Sequence, residues 1–95
     1  MRFEWDDRKA ATNRRKHGVS FDEATTVFFD DDALLIADED HSDAEDRFVL
    51  LGLSSALRQI VVCHCYRESD EVIRIISARK ANRAERAQYE QRRRR

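Results

Sequence analysis

Apolar residues change their spacing along this chain, and each change marks an element. "RFEW" (2–5) is short and aromatic, and predicts a first strand. From Asp6 the pattern turns helical. Asp6 and Asp7 suit an N-cap and first turn, where orphan N–H groups and the helix dipole favour acids. "DRKAATNRRKH" continues the helix, with Lys9, Asn13 and Lys16 on one face and Ala10, Asn13 and His17 on the adjoining one. Gly18 can take the left-handed conformation that ends a helix. Ser20 with Glu23 reads as a capping box for a second helix, and Val19 as its staple onto Ala24. Phe21, Ala24, Val27 and Phe28 give that helix its buried stripe. Residues 6–29 are therefore expected to form a helical hairpin with a very short joint.

Beyond it the period falls toward two. "DDD" (30–32) breaks the helix, and "ALLIA" (33–37) reads as a strand. "DEDHSDAED" (38–46) is an acidic loop. Three strand-like runs follow: "RFVLLGLS" (47–54), "RQIVVCHCYR" (58–67) and "EVIRIISAR" (71–79). The gaps "SAL" and "ESD" are short enough for hairpins, so four strands are expected to form an antiparallel meander. Simple alternation groups Val49, Leu51, Leu53, Val61, Cys63, Cys65, Ile73 and Ile75 on one face. It leaves Phe48, Leu50, Ile60, Val62, His64, Tyr66, Arg74 and Ile76 on the other. Both faces are largely apolar, so both need cover. The last helix, "NRAERAQYEQ" from an Asn82 cap, is too polar to cover the second face alone, and a protein partner is one answer. The fold class expected is α+β: a short N-terminal strand, a helical hairpin, a four-stranded antiparallel meander and a C-terminal helix.

Composition changes this picture only at the surface. Ninety-five residues make one domain, here residues 1–91, with the basic tail 92–95 expected to be disordered when free and to add non-specific RNA affinity. No apolar run is long enough for a membrane span or a signal peptide, so a cytoplasmic protein is expected. Two cysteines are not a disulfide framework. The net charge of −1 hides a division. Residues 1–21 carry six Lys/Arg and three Asp/Glu; residues 22–46 carry eleven acids and no base; residues 47–95 carry twelve bases and five acids. Two basic segments that fold together make a surface that attracts phosphates.

Order and spacing over Phe3 to Tyr89 resemble the BrnT family of toxins from bacterial toxin–antitoxin pairs. The family's F-x-W-D and K-x-x-x-N-x-x-K-H fall on Phe3, Trp5, Asp6, Lys9, Asn13, Lys16 and His17, and its V-S-F on Val19 to Phe21. Its His–Glu–Arg cluster falls on His41, Glu45 and Arg47, its R-I-I-S-A-R on Arg74 to Arg79, and its closing residues on Glu85, Arg86 and Tyr89. One departure stands out: Leu57-Arg58 occupies the turn where a Gly-Arg pair is expected. The resemblance implies a RelE-like fold and a ribonuclease that blocks growth. It also implies a BrnA-type antitoxin, bound as a 2:2 heterotetramer, that neutralises the toxin and helps bind operator DNA.

Metal-free RNA cleavage uses the 2′-hydroxyl as nucleophile on the adjacent phosphate. It needs a base for that hydroxyl, an acid for the leaving 5′-oxygen and cations on the developing charge. No cofactor, metal or protein nucleophile is required. The candidates for catalysis are His17, Arg79, Lys9, Glu45 and Tyr89; for substrate binding, Arg67, Arg74, Arg47, Arg86 and Lys16. Each has a plainer alternative. His17 is also a tidy helix end, Tyr89 ordinary packing, and His41 with Glu45 a salt-linked brace. Cys63, His64 and Cys65 alternate across a strand and cannot close on one ion. Two other functions remain open at this level: a non-catalytic RNA- or ribosome-binding module, and a pure protein-interaction domain.

Overall fold

A computed structural model describes residues 1–37 and 47–94 of the chain. Elements follow in the order β1 (Arg2–Glu4), α1 (Asp7–His17), α2 (Phe21–Thr26), a 3₁₀ turn (Val27–Phe29), β2 (Leu34–Ile36), β3 (Phe48–Leu53), β4 (Gln59–Arg67), β5 (Val72–Lys80) and α3 (Arg83–Arg93). The strands form one sheet in the order β1-β5-β4-β3-β2. β2 to β5 are the expected antiparallel meander, and β1 adds to its edge in parallel with β5. The acidic segment 38–46, with His41 and Glu45, lies outside the described residues.

Helix ends form as their residues dictate. The Asp6 carboxylate accepts from the Arg8 and Lys9 N–H groups at 2.8 and 3.4 Å. Gly18 ends α1 at φ 69°, its N–H donating to the Arg14 carbonyl. Ser20 Oγ accepts from the Glu23 N–H at 3.0 Å, but the expected box is only half formed. The Glu23 carboxylate turns away to Arg58 and to Ser54 Oγ, tying α2 to the β3–β4 turn. That pairing with the Arg58 guanidinium holds the Glu23 carboxyl below its ordinary range. The complete capping box is at α3, between Asn82 and Glu85.

Each sheet face has its own core. α1, α2 and the 3₁₀ turn bury Val19, Phe21, Ala24 and Val27 against Ile60, Val62, Ile73, Ile75 and Ala78. α3 lays Tyr89 over Val49, Leu51 and Val61 on the opposite face. Gly52 permits the close approach of the 3₁₀ turn: a Cβ there would meet Val27 Cγ1 at 2.8 Å. Phe29, Leu35, Phe48 and Tyr66 stay exposed.

The face assignment from simple alternation fails in β5. The β4–β5 hairpin closes with Arg67 opposite Val72, which sets Ile75 opposite His64 and Arg74 opposite Cys65. Ile73 and Ile75 therefore belong with Ile60 and Val62, and Arg74 with the other face. A bulge then shifts the register between Cys63 and His64, so Ile76 is skipped and Ser77 pairs with Cys63. The shift returns Ala78 to the helix-covered core.

Leu57 adopts φ 62° at the β3–β4 turn. The turn thus keeps the left-handed conformation that suits glycine, with leucine accepting the strain. α3 runs to Arg93, into the segment set apart as a tail, and Arg92 Nε donates to the Asp32 carbonyl at 3.1 Å.

Candidate active site

β1 covers the edge of β5 only as far as Arg74. Beyond that point α1 lies along β5, and Asn13 meets the strand's open backbone. Its Nδ2 donates to the Ala78 carbonyl at 2.8 Å and to the Val19 carbonyl at 3.0 Å. Its Oδ1 accepts from the Ala78 N–H at 3.1 Å. One buried amide thus takes the place of a neighbouring strand and pins the α1–α2 joint as well. Two sequence motifs about sixty residues apart meet here, K-x-x-x-N-x-x-K-H on α1 and R-I-I-S-A-R on β5.

Between them runs a groove of about 320 Å³. Arg8, Lys9, Thr12, Lys16 and His17 line it from α1, and Ile76 and Ser77 from β5. The bulge aims these last two at the groove. His17 is half-buried where α1 ends. The head groups of Arg8, Lys9, Lys16 and His17 have no hydrogen-bond or ion-pair partner among the described residues. A concave site with unspent cations beside an imidazole can hold a phosphodiester and move protons at it.

Arg67, Arg74, Arg79, Arg86 and Tyr89 lie elsewhere and are engaged. On the α3 flank of β5, Arg79 makes a two-pronged pair with Glu85 at 2.8 and 2.9 Å. Glu85 also accepts from the Asn82 N–H, and the Arg79 guanidinium holds its carboxyl below the ordinary range. Tyr89 is 1% exposed and donates to Asp30 Oδ2 at 2.6 Å. That oxygen also accepts from the Leu53 N–H. Burial pushes the Asp30 carboxyl up, but the hydrogen bonds from Leu53 and Tyr89 outweigh it, and the net shift is downward. Burial and the Asp30 carboxylate together push the Tyr89 hydroxyl up.

Arg74 pairs with Glu4 at 2.7 Å, and Arg67 Nε lies 3.7 Å from the same carboxylate. Arg67 and Arg79 sit opposite Val72 and Val61 at the two ends of the β4–β5 ladder, about 23 Å apart at 3.3 Å per residue. Arg86 donates to the Ala81 carbonyl, and Arg47 is half-buried with Nε unpartnered. Lys9, Lys16 and His17 are thus brought together, while Arg79 is held by Glu85 and Tyr89 by Asp30. Glu45 is outside the described residues. Among the described residues, no three His, Cys, Asp or Glu side chains converge as metal ligands.

Sequence reasoning missed Arg8, Thr12 and Ser77 as lining residues. Arg8 and Thr12 are four apart, which was legible. Ser77 was not, because its placement depends on the bulge.

A family model described as the ribonuclease toxin, BrnT, of type II toxin–antitoxin systems matches residues 5–85. The crystal structure of the Brucella abortus ribonuclease toxin BrnT is similar at 26% identity and a TM-score of 0.67. The match covers 87% of this chain and 99% of that one. No curated protein matches.

Proposed function

The chain belongs to the BrnT family of type II ribonuclease toxins, and from that premise we propose that it cleaves RNA in the α1–β5 groove without a metal. The observation that carries this reading is the set of unspent head groups there: Lys9, Lys16 and Arg8 beside His17, while Arg67, Arg74 and Arg79 are spent on carboxylates.

In this reading the substrate phosphate lies along the groove, neutralised by Lys9 and Lys16. His17 exchanges one proton, with the 2′-hydroxyl or with the leaving 5′-oxygen, and solvent water exchanges the other. The 2′-oxygen bonds to phosphorus as the bond to the 5′-oxygen breaks. The products are a 2′,3′-cyclic phosphate and a 5′-hydroxyl. The lysine ammonium groups stabilise the charge that develops on the phosphoryl oxygens. Arg79, Glu85 and Tyr89 hold α3 on the sheet and act on cleavage only through the fold.

The partner is a BrnA-like antitoxin that neutralises the enzyme in the cytoplasm, assembles with it as a 2:2 complex and represses the shared operator. The exposed Phe29, Leu35, Phe48 and Tyr66 support a protein partner. No described helix is long and apolar enough to cross a membrane.

The test is cleavage of an unstructured RNA by pure protein in excess chelator. Fragments ending in 2′,3′-cyclic phosphate are expected. An intact RNA, or fragments with 5′-phosphates, would sink the mechanism.

A further inference from the structure

A second groove lies on the opposite flank of α1. Trp5, Ala10 and Arg14 line it on one side and Ser20, Phe21 and Asp22 on the other, and it encloses about 270 Å³. We propose that this groove seats one unpaired nucleobase of the RNA whose phosphodiester lies in the Lys9–His17 groove. The inference rests on the proposed ribonuclease reading and adds a base-recognition subsite to it.

Helical geometry places the two grooves back to back. At 100° per residue, positions 8, 9, 12 and 16 fall on one side of α1 and positions 10 and 14 on the other. Arg15 lies on the exposed ridge between them, and Ala11 beside it lines the second groove. A single strand laid over this ridge crosses a helix only about 10–12 Å wide, and it meets a cation at each step.

The groove has the parts a base needs. Trp5 is half-buried and held against Phe21, ring centroids 5.9 Å apart and planes at 80°. The indole is therefore an ordered platform that pays little entropy on stacking. Arg14 has no partner among the described residues, and its planar guanidinium can stack on a base or hold its phosphate. Ser20 Oγ already accepts from the Glu23 N–H, which leaves its O–H to donate. The exposed Asp22 carboxylate is placed to accept from a base N–H. A groove of this size takes one base and excludes a duplex, so it selects unpaired RNA.

Trp5 is the only tryptophan of the chain, so its emission reports on this groove alone. The full chain is titrated with an unpaired RNA about eight nucleotides long, 2′-O-methylated throughout so that no nucleophile remains. Binding is followed in parallel by anisotropy of a dye on the RNA. Trp5 emission is expected to fall by about half as the RNA binds. The same RNA made abasic throughout is expected to bind with no quenching. Arg14→Ala is expected to weaken binding of the base-bearing RNA about tenfold and to leave the abasic RNA less affected. RNA that binds without changing Trp5 emission, or that quenches equally when abasic, overturns the subsite.

His17→Ala separates this inference from the reading it rests on. Cleavage lost with quenching intact supports both. Cleavage lost in a protein whose Trp5 never responds overturns the subsite alone. Full cleavage with quenching intact overturns the role of His17 alone. No binding of RNA at all overturns both.

Discussion

α1 and α3 lie against opposite faces of the sheet and use the same residue types in opposite ways. On the α1 flank Lys9, Lys16, Arg8 and His17 face a groove with no partner among the described residues. On the α3 flank Arg79 is held by Glu85, Glu85 also caps α3, and Tyr89 is buried on Asp30. Charge pairing separates residues that hold the fold from residues left open to a ligand. A cation whose charge is met inside the fold has little field left for a substrate. A carboxylate met by arginine and by backbone N–H groups is a fastener. Asn13 is the hinge between the two cases. It is buried and fully used, yet what it fixes is the floor of the open groove.

The largest effect is expected from His17→Ala. Cleavage is expected to fall by about 10²–10⁴-fold, with the melting midpoint close to wild type, because His17 carries no hydrogen bond of the fold. Near-wild-type cleavage in a single-turnover assay would remove the α1 flank from the chemistry. Tyr89→Phe reverses the pattern. It strips one hydrogen bond from Asp30 and is expected to cost about 1–3 kcal/mol of stability in urea unfolding. Cleavage per folded molecule should stay unchanged; a large drop in kcat would move Tyr89 into the active site.

His64 offers a smaller effect, read through pH. It is fully buried among Phe28, Phe48 and Tyr66, with Nε2 unpartnered. Burial lowers its pKa from the ordinary 6.5, against a weaker opposing contact with the Val62 carbonyl. The unfolded chain therefore binds this proton more readily than the folded one. Stability should be full above pH 6.5 and decline as pH falls from there toward the folded pKa. His64→Phe should flatten that part of a stability–pH curve and leave the loss at lower pH, where Glu23, Asp30 and Glu85 become protonated. An unchanged slope near pH 6 would show that His64 carries no such linkage. Leu57→Gly touches neither flank. It relieves the left-handed strain and is expected to add about 0.5–1 kcal/mol without altering cleavage. A loss of stability would mean that the exposed leucine packs better than its φ suggests.

Much of the fold was legible because local signals agreed with one another. Asp6, Gly18, Ser20 and Asn82 mark helix ends by chemistry that acts within four residues, and each serves as a cap. The strand runs were legible from β-branched and apolar residues bounded by short polar gaps. What failed was non-local. Glu23 was expected to close a box with its own helix, but Arg58, thirty-five residues on, competes better for a carboxylate. The two faces of β5 were misassigned because hairpin register and a bulge decide them, and a shift of one residue flips every side chain. For the site, helical spacing already put Lys9 and Lys16 on one face of α1 and His17 on the adjoining one, since that spacing is local. The pairing of Arg79 with Glu85 and of Tyr89 with Asp30 was not legible, as nothing along the chain says which carboxylate each will find.

The elements, their order, the helix caps and the basic character of α1 follow from local sequence, because they depend on contacts within a few residues. Which cations stay unpaired is settled by the folded arrangement of distant segments. That outcome depends on where Glu4, Glu23 and Glu85 come to rest. It also depends on how Asn13 closes the edge of β5, which brings Ser77 under His17's groove. Pairing energies act over a few ångströms, and it is the fold that chooses which charges come that close.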